Sequence, residues 1–265
     1  MLEFSYHRPA SMADAVRLLQ DKESPKLLAG GMTLLPVLKN GLADPSDLID
    51  LAGIPDLAGI QLGEADVTIG AMTRHATVAN SPILKKSIPA LSALAAQIGD
   101  PQVRNRGTIG GSIANSDPAA DYPSAVVALG ATIVTDRRRI HADQFFRGLF
   151  ETALEVDEII TSVVFPFATR AAYLKFRHPA SRFALVGIFV AEQEGKVRLA
   201  VTGAGPSVFR VSEMEEALYR HLDPGLLKDI HVSPDNLNDD FHGGREYRAH
   251  LVNVLARRAV KSMLV

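Results

Sequence analysis

The amino-acid sequence predicts an α+β protein. Its N-terminal part combines a small α/β unit (residues 1–55) with a mixed α+β unit (56–170), and a C-terminal domain follows (171–265). Three patterns predict this. A strand, a double-glycine turn, a helix and a second strand succeed one another between Lys26 and Leu51, at a spacing suited to a parallel crossover. Helical periodicity interrupted by single strands then runs to Phe165. Beyond Pro166 the pattern changes, over residues 167–171, to an antiparallel hairpin and a long terminal helix.

Taken in order, Ser11 followed by Asp14 is a helix-start signal, and Met12, Ala15, Val16 and Leu19 recur at helical spacing through Gln20. Lys26 to Ala29 reads as a strand, Gly30-Gly31 as its turn, and Leu34 to Asn40 as a helix ended by Gly41. Asp47 to Leu51 is the second strand. Val67 to Met72 is the next, with Thr73 as a cap. Ser81-Pro82 opens a helical stretch reaching Ile98, with Leu91, Leu94, Ala95 and Ile98 as its apolar stripe, and Gly99 closes it.

Asp100 to Ala120, rich in glycine and asparagine, reads as a long functional loop. Tyr122 to Leu129 is a helix with Pro123 in its first turn, Gly130 its cap, and Ala131 to Thr135 the returning strand. Strands follow at Glu158 to Phe165 and Ala172 to Phe176. Ala184 to Ala191 and Val197 to Thr202 pair as a hairpin through Gln193-Glu194-Gly195. Ser212 with Glu215 opens a helix to about His221. Arg245 to Met263 is the clearest helix, with Tyr247, Leu251, Val254, Leu255 and Ala259 on one face.

With 47% apolar residues the 265-residue chain can bury a substantial core, so disorder is excluded. A net charge of -2 with interspersed signs argues against nucleic acid or an acidic membrane as partner. Residues 1–10 lack the apolar core of a signal peptide and no apolar run approaches a membrane span, so the expectation is a cytoplasmic protein. The absence of cysteine excludes disulfides, thiolate catalysis and an all-thiolate iron-sulfur or zinc site in this chain. His75, His141, His178 and His242 show no metal-ligand spacing and read as surface or packing residues. Asp143, Phe145 and Phe146 read as a loop anchor.

Two segments carry candidate chemistry. Ala29-Gly30-Gly31-Met32-Thr33-Leu34-Leu35-Pro36 places side-chain-free residues before a helix, where outward amides suit a pyrophosphate, although a double glycine in such a turn is commonly structural. Thr108-Ile109-Gly110-Gly111-Ser112, flanked by residues 102–107 and by Asn115 to Asp121, is the second. Opposed sets of amide donors could grip phosphates without net protein charge; the alternative is a pair of tight turns with Arg104 and Arg106 solvated. Lys175 is a lone lysine in a strand, by itself a snorkelling surface residue.

The segments AGGMTLLPVLKNGL with DLIDL, IGDPQVRNRGTIGGSIANSDPAADYP, YLKFRHPASRFALVGIFVA and, near the end, YRAHLVNVLARRAV resemble the medium, FAD-binding subunits of molybdenum hydroxylases, the xanthine dehydrogenase and aerobic carbon monoxide dehydrogenase family. The resemblance covers nearly the whole chain. It implies a PCMH-type FAD-binding domain over 1–170 and a C-terminal, carbon monoxide dehydrogenase flavoprotein-like domain with a three-stranded antiparallel sheet and helices, the FAD lying between them. It implies that Lys26, Leu27, Leu28, Ala29, Gly30, Gly31, Met32, Thr33 and Leu34 wrap the pyrophosphate, with Gly107, Thr108, Gly110, Gly111 and Ser112 opposite. Asn115 and Asp121 are implied to reach ribityl or ribose hydroxyls, and Ile98 and Gly99 to sit beside the flavin or its phosphates. Ile159 and Ile160 are implied to pack on the adenine or flavin, and Lys175 to approach the isoalloxazine ring as a cation. Met32 stands where the family often has a polar residue, Ser112 where asparagine or aspartate is frequent, and the C-terminus is short.

The resemblance further implies an oxidoreductase subunit without catalytic side chains or a metal of its own. A small partner would carry [2Fe-2S] clusters and a large partner the molybdenum cofactor, in a dimer of heterotrimers. The FAD would take electrons singly and pass them to a quinone, dioxygen or another acceptor. Two alternatives stay open: a stand-alone FAD-dependent reductase of the same fold, and a flavin-free phosphate-binding or interaction scaffold.

Overall fold

The computed structural model describes residues 3–219 and 221–264; Met1, Leu2, Arg220 and Val265 lie outside it, so the expected continuation of the 212 helix through residue 220 does too. The chain opens with β1 (Ser5–His7), α1 (Met12–Asp21), β2 (Pro25–Leu28), α2 (Leu34–Lys39) and β3 (Asp47–Asp50). The Ser11 side chain accepts from the Asp14 amide and so fixes the start of α1 where the sequence placed it. The three strands form a parallel sheet in the order β1-β3-β2, as the crossover spacing requires. Ala15, Leu19, Ile49, Leu51, Ile54 and Leu57 make its small core, and Ile159 reaches in from far along the chain.

Next come β4 (Ile60–Leu62), β5 (Asp66–Gly70), α3 (His75–Asn80), α4 (Pro82–Ser87), α5 (Pro89–Ala96), α6 (Pro101–Arg106), α7 (Ile109–Asn115), α8 (Tyr122–Ala128), β6 (Thr132–Thr135), β7 (Arg139–His141), α9 (Ala142–Phe145), β8 (Phe146–Gly148), β9 (Glu151–Thr152) and β10 (Ile160–Pro166). The antiparallel sheet β4-β5-β10-β6-β7 results. Several expectations are corrected here. The stretch from Ser81 to Ile98 is two helices, because Pro89 cannot donate to the carbonyl a continuous helix would offer and restarts the helix at its own position. Residues 101–106 and 109–115 are helices rather than loop: Asp100 caps the first through the Val103 amide, with Pro101 in its first turn, and Thr108 caps the second through Gly111. Thr73 caps nothing; its hydroxyl clasps both backbone groups of Gly59.

The last part contains β11 (Arg170–Arg177), β12 (Ala184–Gln193), β13 (Lys196–Thr202), β14 (Phe209–Arg210), α10 (Ser212–Leu218) and α11 (Arg245–Ser262). The sheet is antiparallel and has four strands rather than three, the fourth only two residues long. Alternation divides its faces. Tyr173, Phe189, Ala191 and Ala200 join α8 and the core of the five-stranded sheet. Ala172, Ile188, Val190, Leu199 and Val201 join α11 through Leu251, Leu255 and Ala259. Burial on both faces explains the unbroken apolar run of β12. In α11, Tyr247 is exposed, and Arg248, Val252, Ala256 and Val260 complete the buried stripe. Glu215 is not a capping residue: it accepts from the Leu199 amide and from Arg210, and α10 starts after Val211 without a side-chain cap. Among the described residues no helix is long and apolar enough to cross a membrane.

Arg248 ties α11 to the rest. Its buried guanidinium donates to the Gly243, Leu185 and Gly203 carbonyls and to Asp240. Arg248→Met should take a donor from four acceptors, of which the Gly203 carbonyl keeps Asn238 Nδ2, and cost about 3 kcal/mol or more, read as a lower urea midpoint at unchanged slope. A midpoint equal to wild type would show that the packing of α11 alone holds this sheet.

Candidate functional site

The structure brings the two double-glycine segments into direct contact. A Cβ on Gly30 would lie 2.3 Å from the Arg106 carbonyl oxygen and 2.7 Å from the Gly107 Cα, so the turn after β2 rests on the backbone between α6 and α7 with no room for a side chain. A Cβ on Gly111 would lie 3.3 Å from the Ala29 Cβ, a second point of contact between the segments.

The first turn offers free donors. Gly31 adopts φ +75°, a conformation that L side chains rarely take, and its carbonyl receives the Leu35 amide at 3.0 Å. The amides of Gly31, Met32, Thr33 and Leu34 have no acceptor among the described residues, and α2 begins without a side-chain cap. Neither residues 26–42 nor residues 101–116 contain an aspartate or glutamate, whereas Arg104 and Arg106 lie in the last turn of α6. Uncommitted amides, a side-chain-free approach and an absence of carboxylates fit a diphosphate.

The second segment contributes differently from the sequence reading. The Ile109 amide donates to Thr73 O, Gly110 to Ala71 O, Gly111 to Thr108 Oγ1 and Ser112 to Thr108 O, at 2.8 to 3.2 Å. Opposed sets of free amides are therefore not present. The glycines of this segment provide closeness, and the half-buried side chains of Ser112 and Asn115 remain without hydrogen-bond partners among the described residues.

The other expected residues separate into four groups. Lys26 is exposed on β2, Leu27 and Leu28 are half-buried, and Met32 and Thr33 are exposed beside the turn. Ile98 and Gly99 form the bend after α5, and Arg104 donates to both their carbonyls, at 2.9 and 3.1 Å. Ile159 and Ile160, 1% and 5% exposed, are spent in the cores, so packing of their side chains on adenine or flavin is corrected to packing within the protein. Lys175 is neither a snorkelling residue nor a free cation. Its side chain is fully buried, and its ammonium donates to Asp121 at 2.7 Å and to the Gln97 carbonyl at 3.0 Å. Asp121 also accepts from the Tyr173 hydroxyl. Tyr173, Gln97, Arg104 and His75 are the members missed by motif reasoning; the two-residue spacing of Tyr173 and Lys175, which puts both on one face of a strand, was the available signal.

His75 underlies the junction. Its amide donates to the Gly107 carbonyl at 2.9 Å, and its Nε2 lies 2.5 Å from where a Gly107 Cβ would be. Its Nδ1 is buried without a partner, and its ring packs at 5.3 Å against Tyr122, whose hydroxyl is likewise unpartnered. Burial, and secondarily the Arg104 charge, holds the imidazole down at about 4. Two clefts, of about 750 and 540 Å³, open elsewhere, around Lys196, Arg198 and Glu215 and around Phe209 and Val232. In the first, Arg198 is paired with Asp143 and Arg210 with Glu215, which leaves these cations no free charge for a ligand.

Residues 2–168 match the family described as the FAD binding domain in molybdopterin dehydrogenase. The chain is 37% identical to the nicotine 6-hydroxylase medium subunit of Paenarthrobacter nicotinovorans over 96% of this chain and 95% of that one. It is 36% identical to the carbon monoxide dehydrogenase medium chain of Hydrogenophaga pseudoflava over 98% and 96%. A solved structure of the Hydrogenophaga pseudoflava carbon monoxide dehydrogenase, in a form lacking the Mo-pyranopterin moiety, superposes with a TM-score of 0.90 at 35% identity, covering 99% of this chain and 97% of that one. Quinoline 2-oxidoreductase from Pseudomonas putida 86 superposes with a TM-score of 0.90 at 27% identity, over 98% and 96%.

The buried imidazole makes the junction acid-sensitive. Its folded value, about 4, lies below the ordinary 6.5, so the unfolded chain binds a proton first as pH falls. The stability tied to neutral His75 is complete above about pH 6.5 and is lost between there and about pH 4. Urea unfolding at about pH 7.5 and about pH 5 should differ by about 2 kcal/mol through this group. His75→Leu should remove that part of the difference; an identical pH dependence in both proteins would show that His75 is not its source.

Proposed function

The chain belongs to the family of FAD binding domains in molybdopterin dehydrogenases, oxidoreductase subunits with FAD as cofactor, and on that premise we propose that it is the electron-transfer subunit of a molybdenum hydroxylase. The observation that carries this reading is the junction itself: Gly30 pressed on the Arg106–Gly107 backbone beside four uncommitted amides, with no carboxylate in either segment. Bound FAD supplies a carrier that takes electrons singly and releases them singly or in pairs, which no side chain of this protein can do.

The protein's part is to hold and surround that carrier. The amides of Gly31 to Leu34 would hold the diphosphate, with Lys26 to Ala29 and the Thr33 hydroxyl alongside. Gly107, Thr108, Gly110 and Gly111 keep the second segment close enough for Ser112 and Asn115 to reach hydroxyl groups of the same ligand. Ile98 and Gly99 border the site on the α5 side, fixed by Arg104. Asp121 and Lys175 act from behind that bend, and Ile159 and Ile160 act through the cores that support β10. Residues 1–170 serve as the FAD-binding domain, in sub-domains 1–55 and 56–170, and residues 171–265 as the C-terminal domain; the separate sheets and the extent of the family match support this division.

Substrate hydroxylation belongs to a large molybdenum-carrying partner. A small [2Fe-2S] partner delivers the electrons, and the assembly is a dimer of heterotrimers that works in the cytoplasm. The names of the relatives, medium subunit and medium chain, support such a division of labour, as does similarity over nearly their full lengths. Purification from the native host should give a yellow protein accompanied by iron-sulfur and molybdenum subunits. A colourless chain would reject FAD binding, and a yellow chain that always purifies alone would favour the stand-alone reductase.

Gly111→Val tests the junction directly. Its side chain would press on Thr108 Oγ1 and Ala29 Cβ, 3.0 and 3.3 Å from the added Cβ. We expect a chain of native circular dichroism whose FAD dissociation constant rises about tenfold or more. Wild-type flavin occupancy in dialysed Gly111→Val would contradict the assignment.

A further inference from the structure

Behind the glycine junction lies a hydrogen-bonded group that neither glycine segment includes. Tyr173 and Lys175, two residues apart on β11, both donate to the same oxygen of Asp121, which precedes α8. Lys175 also donates to Gln97 O at the end of α5, and Arg177 donates to the Gln97 side chain at 2.9 Å. Gln97 leads directly into the Ile98–Gly99 bend. The Tyr173 hydroxyl has its place because Gly187, opposite Lys175 on β12, has no side chain: a Cβ there would lie 2.8 Å from that hydroxyl.

The group is almost dry, with the Lys175 side chain unexposed and Asp121 5% exposed. Burial pushes the Asp121 carboxyl up, and the Lys175 charge and the hydrogen bonds from Lys175 and Tyr173 act against that rise. The titratable groups around Asp121 are few. Lys175, Tyr173 and Arg177 come from β11, and Tyr122, with His75 beyond it, from α8 and α3; α5 presents Gln97, while β12 and β13 present Gly187 and Thr202, none of which titrates. A proton on Asp121 would leave the Lys175 ammonium buried without its counter-ion, a costly state that the site can relieve only by moving Lys175 or discharging it.

We propose that Tyr173 is a positioning residue of the flavin site: its hydroxyl keeps Asp121 charged, charged Asp121 keeps Lys175 on the Gln97 carbonyl, and that contact fixes the bend leading into the second glycine segment. The inference rests on the FAD reading above. It assigns the cation in this region a mechanical role and places control of it in a residue outside the glycine motifs.

Tyr173→Phe removes one oxygen and keeps the ring in the core. Two measurements on the full chain, carried across the pH range of the Asp121 titration, test the proposal: ¹³C NMR of the Asp121 carboxyl without FAD, and FAD affinity by flavin fluorescence. In Tyr173→Phe the Asp121 titration should move up by about one pH unit, a tenfold gain in proton affinity from the lost hydrogen bond. FAD should bind about tenfold more weakly than to wild type at pH below both Asp121 titrations and equally at pH above both. Asp121→Asn, which cannot ionise, should bind FAD weakly at every pH, with no further effect of Tyr173→Phe. An unmoved Asp121 titration overturns the proposal, and so does a moved titration with unchanged FAD affinity. Absence of FAD binding by wild type would overturn the FAD reading and this inference together, and it is distinguished by being read from the wild-type chain alone.

Discussion

The arrangement depends on a missing volume. Because Gly30 has no side chain, the turn after β2 can lie on the Arg106–Gly107 backbone, and the parallel three-stranded unit docks at that point on α6 and α7. An approach this close leaves no space for even one methyl group, and close-packed interiors do not supply such space by relaxation at a backbone. The docking sets the position of the Gly31–Leu34 amides relative to Ser112 and Asn115. It also explains how a chain of net charge -2 can serve an anionic ligand: the positive potential comes from peptide dipoles, which add no formal charge.

The C-terminal sheet is held to this site by a second constraint. With β12 buried on both faces and the middle of β11 packed beside it, a polar side chain of β11 pointing toward the α5–α8 layer enters a dry interior and must bring or find its partner. Tyr173 and Lys175 find Asp121 and the Gln97 carbonyl. Ion pairs of this kind add little net stability, since desolvation offsets most of the attraction, but a one-residue slip of β11 would leave three buried polar groups unpaired. Their effect is on register: they specify which residue of β11 faces which residue of the helices.

Much of the fold was legible because the signals were local. Ser11 capped α1 as its spacing to Asp14 indicated, Gly41 and Gly130 followed their helices, and Glu194-Gly195 turned the hairpin between β12 and β13. What was lost required knowledge of partners. The segment from Asp100 to Ala120 read as loop because its glycines have low helix propensity, yet Asp100 and Thr108 cap short helices, and in the second of them burial against Ala71 and Thr73, with Gly107 on His75, outweighs propensity. In the site, the double glycines were identifiable from sequence, but whether their amides were free was not. Thr108 Oγ1 and the Ala71 and Thr73 carbonyls absorb the second set, and no local pattern reveals a carbonyl more than thirty residues away. Lys175 was visible as a residue of interest, but its burial and its partners were not, because Asp121 and Gln97 come from separate helices.

These two constraints divide the work in a physically sensible way. Groups that hold a diphosphate gain from a field that stays constant with pH, and backbone amides provide one, since they neither titrate nor move without unfolding the turn. A carboxylate, unlike an amide, responds to protonation, and the only buried carboxylate–ammonium pair near the junction among the described residues, Asp121 with Lys175, lies on the side of the Gln97–Gly99 bend. The amides of the first turn are thereby insulated from protonation, while the coupling proposed for the bend after α5 runs through a carboxyl that burial already pushes upward. A site assembled the other way, with lysines on the phosphates and bare amides at the bend, would bind by charge and lose that insulation at the turn. The absence of any lysine between Gly30 and Val37, where a diphosphate would sit, is consistent with the division seen here.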